Sequence, residues 1–439
     1  CEAMQIVLAE SFSLASLHIM KPKILTTLQT YSWSLFWADV MAGITVAMVA
    51  LPLSLAIAIA SGADPAKGIV TAIVGGFLVS LLGGSRVQIG GPTGAFIVVV
   101  FGVISQHGYD GLVLATFMAG LILLLAGILR VGNLISFVPE AVVNGFTIGI
   151  AVIIATSQLK DIFGLSIESL PADFLEKLPA LWDARATASY PALGIGLATI
   201  GLIVLLRRLA PRAPGLIVAV ALTSAVAMVL AWPVESIGSR FGVLPSHLPM
   251  PSFPTISLDR VMELLPSAFV IAFLAGVESL LSAMVADKMT GGHHRPNAEV
   301  IAQGFANVGS SLFGGMPATG AIARTATNVR AGGKTPVAGI VHALAILVAM
   351  LVAAPLAGYL AMPALAGLLI LTAWTMSEPH KWKGYLSAPR SDQFLLILTL
   401  VLTVVADLAV AIGVGVSVGL ALRLRRRNVP PADWETPDR

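Results

Sequence analysis

Two stretches decide the fold: Gly90-Gly91-Pro92-Thr93-Gly94-Ala95 and Gly314-Gly315-Met316-Pro317-Ala318-Thr319-Gly320-Ala321. Each is a Gly/Pro break inside apolar sequence, and each opens a run too short to cross a bilayer. Residues 95–106 would extend roughly 18 Å and residues 320–330 roughly 16 Å at ~1.5 Å per helical residue. Each is about half of the ~30 Å hydrocarbon core. The preceding residues, 87–92 and 315–318, are expected to be extended. Non-helical backbone at that depth is permitted only where protein or a water-filled cavity surrounds it. The two stretches therefore predict half-helices of opposite direction that start near the midplane and face each other.

Composition sets the same class. The chain has 439 residues, 57% hydrophobic and 11% charged, and its mean hydropathy is +0.91. An ordinary soluble domain carries about 25% charged residues, so this is an all-α polytopic membrane protein. A cytosolic enzyme, a nucleic-acid binder and a disordered chain are excluded. The net charge of +3 is small, and the basic residues read as topology signals. The single cysteine, Cys1, excludes a disulfide framework and a thiolate metal site. Residues 1–20 lack a basic segment ahead of an uninterrupted apolar core, so no signal peptide is expected there. Lipid attachment at Cys1 is the minor alternative.

Apolar runs predict fourteen segments: 40–60, 67–83, 93–106, 112–129, 140–159, 190–207 and 214–232, then 266–286, 297–313, 320–331, 335–355, 363–376, 393–406 and 408–422. With a cytoplasmic N-terminus, 19 Lys and Arg fall on the inner side and 6 on the outer side, Arg324 being left inside the membrane. That asymmetry places both termini in the cytoplasm. Seven segments on either side of a long loop make two inverted seven-segment repeats, the usual build of secondary transporters. The expected divisions are an N-terminal extension (1–32), a first repeat (33–232), an extracytoplasmic loop (233–265), a second repeat (266–425) and a cytoplasmic tail (426–439).

Helix N-termini expose unpaired N–H groups and about half a positive charge. Two of them aimed at one point make an anion site. The expected lining is Pro92, Thr93, Gly94, Ala95 and Phe96 from segment three, with Thr319, Gly320, Ala321, Ile322, Ala323 and Arg324 from segment ten. Arg324 adds a full charge, and an arginine in the bilayer defaults to a functional reading. The bland alternative is that Arg324 pairs with a carboxylate. Glu278, mid-segment in Gly276-Val277-Glu278-Ser279-Leu280-Leu281-Ser282, needs neutralisation by a proton, by a sodium ion held with Ser282 and backbone carbonyls, or by Arg324 itself. His342 is expected to be a satisfied core histidine. Asn144 and Asp407 are expected to hydrogen-bond between helices or line a cytoplasmic rim. His293 and His294 lack the further ligands a metal needs, so no metal and no cofactor is expected beyond a coupling ion. Residues 423–427 mark a membrane boundary touching anionic lipids. Pro52 kinks segment one, whose small residues permit close helix approach.

These residues resemble the sulfate permease (SulP) family of anion transporters. The resemblance rests on Ala42-Gly43-Ile44-Thr45-Val46, on Leu51-Pro52 through Gly62, and on Gly90 through Phe96. It continues in Asn144-Gly145-Phe146-Thr147-Ile148-Gly149-Ile150-Ala151, in Gly276 through Ala283, and most specifically in Gly314 through Arg324 to Gly333-Lys334-Thr335. It covers about residues 38–425. It implies a uracil-permease-like fold with a core and a gate domain, elevator-like alternating access and a homodimer. It also implies an anion between helices three and ten, positive potential from Arg324, and coupling at Glu278. Leu53 and Ile57 stand where many members carry Gln and an aromatic residue, so bicarbonate or a dicarboxylate joins sulfate as a candidate substrate. The STAS domain that usually follows the last helix is expected to be absent. The expected function is secondary active anion transport in a bacterial inner membrane, with proton symport ahead of sodium. The alternatives are a nucleobase:cation symporter of the same fold and a passive anion channel. An enzyme is not expected, because no nucleophile–base or metal-ligand cluster has usable spacing.

Overall fold

A computed structural model describes residues 21–133, 139–167, 170–210, 214–406 and 408–425. The expectations for Cys1, Arg212, Asp407, Arg426, Arg427 and Arg439, and for the side chains of Arg423 and Arg425, lie outside the described residues. The long helices are α1 Trp33–Ala60, α2 Pro65–Leu82, α3 Ile97–Ile128, α4 Glu140–Ser157, α5 Tyr190–Leu209 and α6 Gly215–Val229. After the long loop come α7 Leu258–Thr290, α8 Pro296–Leu312, α9 Ile322–Arg330, α10 Pro336–Ala357, α11 Met362–Met376, α12 Arg390–Val405 and α13 Leu408–Arg425. Seven of the described helical spans have both the length and the apolar character to cross a membrane. Outward-facing Leu222, Val229, Val352 and Ile397 are exposed, as lipid contact requires.

Segments three and four, expected as separate runs, form one helix interrupted at Gly108 alone (φ 69°, ψ 179°). Glycine reaches that left-handed φ without a Cβ clash, so one residue turns the chain. Beyond it Tyr109 donates to the Gly314 carbonyl at 2.9 Å, while the other end of α3 packs at Gly127 beside Ile301 of α8. Residues 97–107 are thus a half-helix and 109–128 its full-length return. Counted this way, these helices make seven segments before the long loop and seven after it, the short polar α9 among the latter.

α7 starts eight residues earlier than the apolar run predicts. Ser257 caps it by accepting from the Arg260 N–H, and Asp259, Arg260 and Glu263 carry its first turns beyond the apolar stretch. Pro266, two turns into the helix, removes one backbone donor there.

Packing falls into two groups. α1, α2, α3, α7, α8, α9 and α10 pack on one another, and α4, α5, α6, α11, α12 and α13 form the second group. α1 touches α6 and α11 across the boundary, and α7 touches α13. A buried carboxylate ties the first group together at one end. Asp39 of α1 accepts from the Lys334 and Thr335 N–H groups at 2.9 and 3.1 Å, from the Tyr31 hydroxyl at 3.1 Å and from the Thr335 hydroxyl. It therefore caps α10 from another helix, giving the orphan donors there a charged acceptor.

The centre of the first group is not helical. Strands β1 Gly90–Gly91 and β2 Thr319–Gly320 pair antiparallel, Gly90 opposite Gly320 and Gly91 opposite Thr319. They lie partway along α2, because a Cβ on Gly76 would stand 3.0 Å from the Gly90 carbonyl oxygen. The crossing is as tight as its glycines suggest. A Cβ on Gly320 would stand 1.7 Å from Gln88 Nε2, so a larger residue there would displace the amide that bonds Ser279.

Candidate functional site

Buried extended backbone must find partners away from water, and here side chains supply them. Asn307 of α8 donates to the Ala318 carbonyl at 2.8 Å and accepts from the Ala318 N–H at 3.0 Å. Thr71 accepts from the Met316 N–H at 2.7 Å, and Ser310 donates to the Met316 carbonyl at 2.6 Å. On the other strand Asn328 donates to the Val87 carbonyl at 2.8 Å, and Thr325 accepts from the Ile89 N–H at 3.0 Å. Glu299 Oε2 accepts from the Gly84 and Ser85 N–H groups at 2.9 and 3.2 Å. Its Oε1 accepts from Ser279 and Gln303, both at 2.9 Å, and Gln88 Nε2 donates to Ser279 Oγ at 2.7 Å. None of these supports was singled out from sequence. The signal for part of the set is a polar stripe on α8, Glu299, Gln303, Asn307 and Ser310, at helical spacing in an otherwise apolar setting.

These bonds hold two helix starts against each other. Thr93 precedes a 3₁₀ turn at Gly94–Phe96 that leads into α3, and Ala321 precedes α9. Pro92, Gly94, Ala95 and Phe96 are buried, as are Thr319, Gly320 and Ala321. Thr93, Ile322 and Glu278 are half-buried, and Ala323 is exposed. The crossing is therefore closed at the back and open on the side of Thr93, Glu278 and Ala323. Met376 of α11 and Ile154 of α4 close in on Gly94, their Sδ and Cδ1 atoms lying 2.9 and 3.8 Å from where a Cβ would stand. The second packing group thus faces the start of half-helix three. Leu53 and Ile57 are buried in α1, and α1 packs on both α9 and α11.

Arg324 is 1% exposed. Its Nη2 donates to Ser54 Oγ at 3.2 Å and to the Pro92 carbonyl at 3.0 Å, while Nε and Nη1 have no partner. Gly91, at φ 148°, makes room for it, because a Cβ there would stand 2.5 Å from Nη1. Pro52 removes a backbone donor from α1 next to Ser54, and a Cβ on Gly68 of α2 would stand 2.1 Å from the Ser54 carbonyl oxygen. The close approach of α1 and α2 therefore positions the hydroxyl that holds the guanidinium.

The alternative of an Arg324–Glu278 ion pair is not what the structure contains. Glu278 Oε2 accepts from Thr93 Oγ1 at 2.7 Å, and no carboxylate pairs with Arg324 among the described residues. The Ser282 hydroxyl donates to Thr325 Oγ1 at 3.1 Å, which ties α7 to half-helix ten. Thr319 donates to the Ala275 carbonyl at 2.9 Å, so its hydroxyl serves α7. Two further expectations need correction. His342 is fully buried, with Gly76 against its ring, but neither ring nitrogen has a partner among the described residues. Of the two roles expected for Asn144, the bond between helices is not made: it donates to Glu140 at 3.4 Å within its own helix, one turn back. His294 Nδ1 lies 2.6 Å from Asp287 Oδ2.

The arrangement combines two backbone N–H clusters, a buried guanidinium without a counter-charge, and a carboxylate linked to the first helix start through Thr93. Comparisons with known proteins point the same way. A family model described as the sulfate permease family matches residues 36–399. YvdB of Bacillus subtilis (strain 168), provisionally named a sulfate transporter, is 43% identical over 376 residues, covering 85% of this chain and 70% of that protein. The bicarbonate transporter BicA of Picosynechococcus sp. is 32% identical over 344 residues, covering 75% of this chain and 60% of its own length. The solved transmembrane domain of a cyanobacterial bicarbonate transporter BicA superposes with a TM-score of 0.79 at 30% identity, covering 87% of this chain and 98% of that one.

Proposed function

The chain belongs to the sulfate permease family, a family of membrane transporters, and on that premise we propose that it is a secondary active anion transporter. Its substrate is sulfate, bicarbonate or a dicarboxylate, and it couples uptake to a cation, a proton ahead of sodium. One observation carries the reading: a fully buried Arg324 with two unpartnered donors, set where two helix N-termini converge. An isolated buried charge is costly, and a bound anion supplies the missing counter-charge. Uracil, being neutral, would not. The anion lies against residues 92–96 and 319–324, with Leu53 and Ile57 closing one wall.

Thr93 connects this pocket to the cation. Its hydroxyl points at Glu278, and a proton or sodium ion on that carboxylate frees the hydroxyl to donate to the anion. Cation and anion then occupy neighbouring positions, with mutual attraction. The two packing groups act as core and gate. The core carries both half-helices and moves against the gate in an elevator-like cycle, with both termini cytoplasmic and the chain in a bacterial inner membrane as a homodimer. Leu53 and Ile57 offer no donor to a tetrahedral oxyanion, which favours bicarbonate or a carboxylate.

The test is radiolabelled uptake into proteoliposomes. Sulfate, bicarbonate, a dicarboxylate and uracil are offered under imposed proton or sodium gradients. Saturable uptake of one anion, accelerated by one inward cation gradient, is the expected result. Uracil uptake, or non-saturating current carried by anions, would overturn it.

A further inference from the structure

The helix Phe174–Asp183, in the loop between α4 and α5, carries a lysine that is buried and, among the described residues, has no carboxylate bound to it. Its neighbours in sequence are exposed, but Lys177 is only 3% exposed. Its ammonium donates to Ser157 Oγ at 2.9 Å and lies 5.5 Å over the ring of Phe101. Ser157 ends α4, in the second packing group, and the Lys177 helix itself packs on α4 and α12. Phe101 belongs to half-helix three, in the first group. A ring carbon of Phe101 lies 3.2 Å from where a Cβ on Gly62 would stand, at the end of α1. The lysine therefore bridges the two groups about one turn into half-helix three, beside the ends of α1 and α4.

We propose that Lys177 is an outer latch, a positioning residue that holds half-helix three against α4 and must let go before the core can open to the outside. Desolvating an ammonium is costly, and a hydroxyl and an aromatic face are the partners that offset the cost here. The latch rests on the alternating-access reading above, but its test needs no transported anion, so either can fail without the other.

The latch depends on charge. Burial pushes the Lys177 ammonium down to about 8, with Asp173 opposing the shift. Few other charges face it. Its own helix bears Glu176, and Arg185 follows it. α4 carries Glu140, and α12 carries Arg390 and Asp392, all at their far ends. Beyond Phe101, α3 carries His107 and Asp110. The ammonium is lost from the latched site as pH rises through that value, while the released, solvated lysine keeps its proton to higher pH, so the latched state gains and the latch tightens above about pH 8.

Gly102 supplies a reporter site, because a Cβ there would meet nothing within 4 Å. In a Cys1→Ser background, Gly102→Cys is labelled from outside with a membrane-impermeant methanethiosulfonate. At pH 9 the native lysine should label about tenfold more slowly than Lys177→Arg, which keeps its charge, the gain expected one pH unit above the buried value, and at pH 7 the two should match. Lys177→Met should label fast at both. Equal lysine and arginine rates at pH 9, or a methionine variant labelling at the native rate, would overturn the latch. If the methionine variant fails to elute as a folded protein, the lysine–arginine comparison decides.

Discussion

Replacing Arg324 with alanine should weaken anion binding by roughly 100-fold, about 3 kcal/mol, the order seen when a buried charged partner is removed. Among the described residues the guanidinium is the one full positive charge behind the two helix starts, and Ser54 and the Pro92 carbonyl engage one of its nitrogens. Removing it also relieves the desolvation of a charge that has no ionic partner among the described residues. The variant should therefore melt in detergent close to the native temperature, since deleting an unpaired buried charge is not destabilising in the way that breaking a pair is. This separates the roles. A structural arginine would show a lower melting temperature with unchanged affinity in the folded fraction. Arg324→Lys should recover only part of the loss, because one ammonium cannot span Ser54 and the Pro92 carbonyl while leaving two planar donors free.

Replacing Glu278 with glutamine should abolish concentrative uptake while sparing anion binding. The amide oxygen can still accept from Thr93, so the geometry of half-helix three is kept, but the side chain can no longer take up a proton or hold sodium. Under a one-unit inward proton gradient, symport of one proton with one monovalent anion supports about tenfold accumulation. In the variant that ratio should fall to about one, with anion exchange retained. Proteoliposome uptake followed to steady state measures this directly. Undiminished accumulation would place the coupling site elsewhere, and complete loss of binding would make Glu278 part of the anion pocket.

Much of this layout is legible in the sequence because its cause is local. Gly90 to Ala95 and Gly314 to Ala321 cannot continue a helix, and the runs after them are too short to span a bilayer, so the two half-helices follow from length alone. The support of the crossing is less legible. Asn307, Thr71 and Asn328 bond to backbone atoms that are distant in the chain, and only the four-residue rhythm of the α8 stripe hints at it. The partner of Glu278 is hidden for the same reason: the sequence offers a proton, a sodium ion held with Ser282, or Arg324, and that Thr93 reaches it depends on which side of the crossing each approaches. The Gly108 turn was expected as a short loop because a single left-handed glycine carries no more sequence signal than any other glycine. Lys177 reads as an ordinary exposed loop charge until the fold lays its helix across α4.

The central claim is that an anion binds where two helix starts converge in the membrane. An experimental structure with the transported anion at saturation, or with selenate if that anion is sulfate, tests it most directly. The expected result is anion density within hydrogen-bond distance of the backbone N–H groups of residues 94–97 and 322–324, on the open side beside Thr93. Density bound elsewhere, with the space between those helix starts filled by side chains, would contradict it.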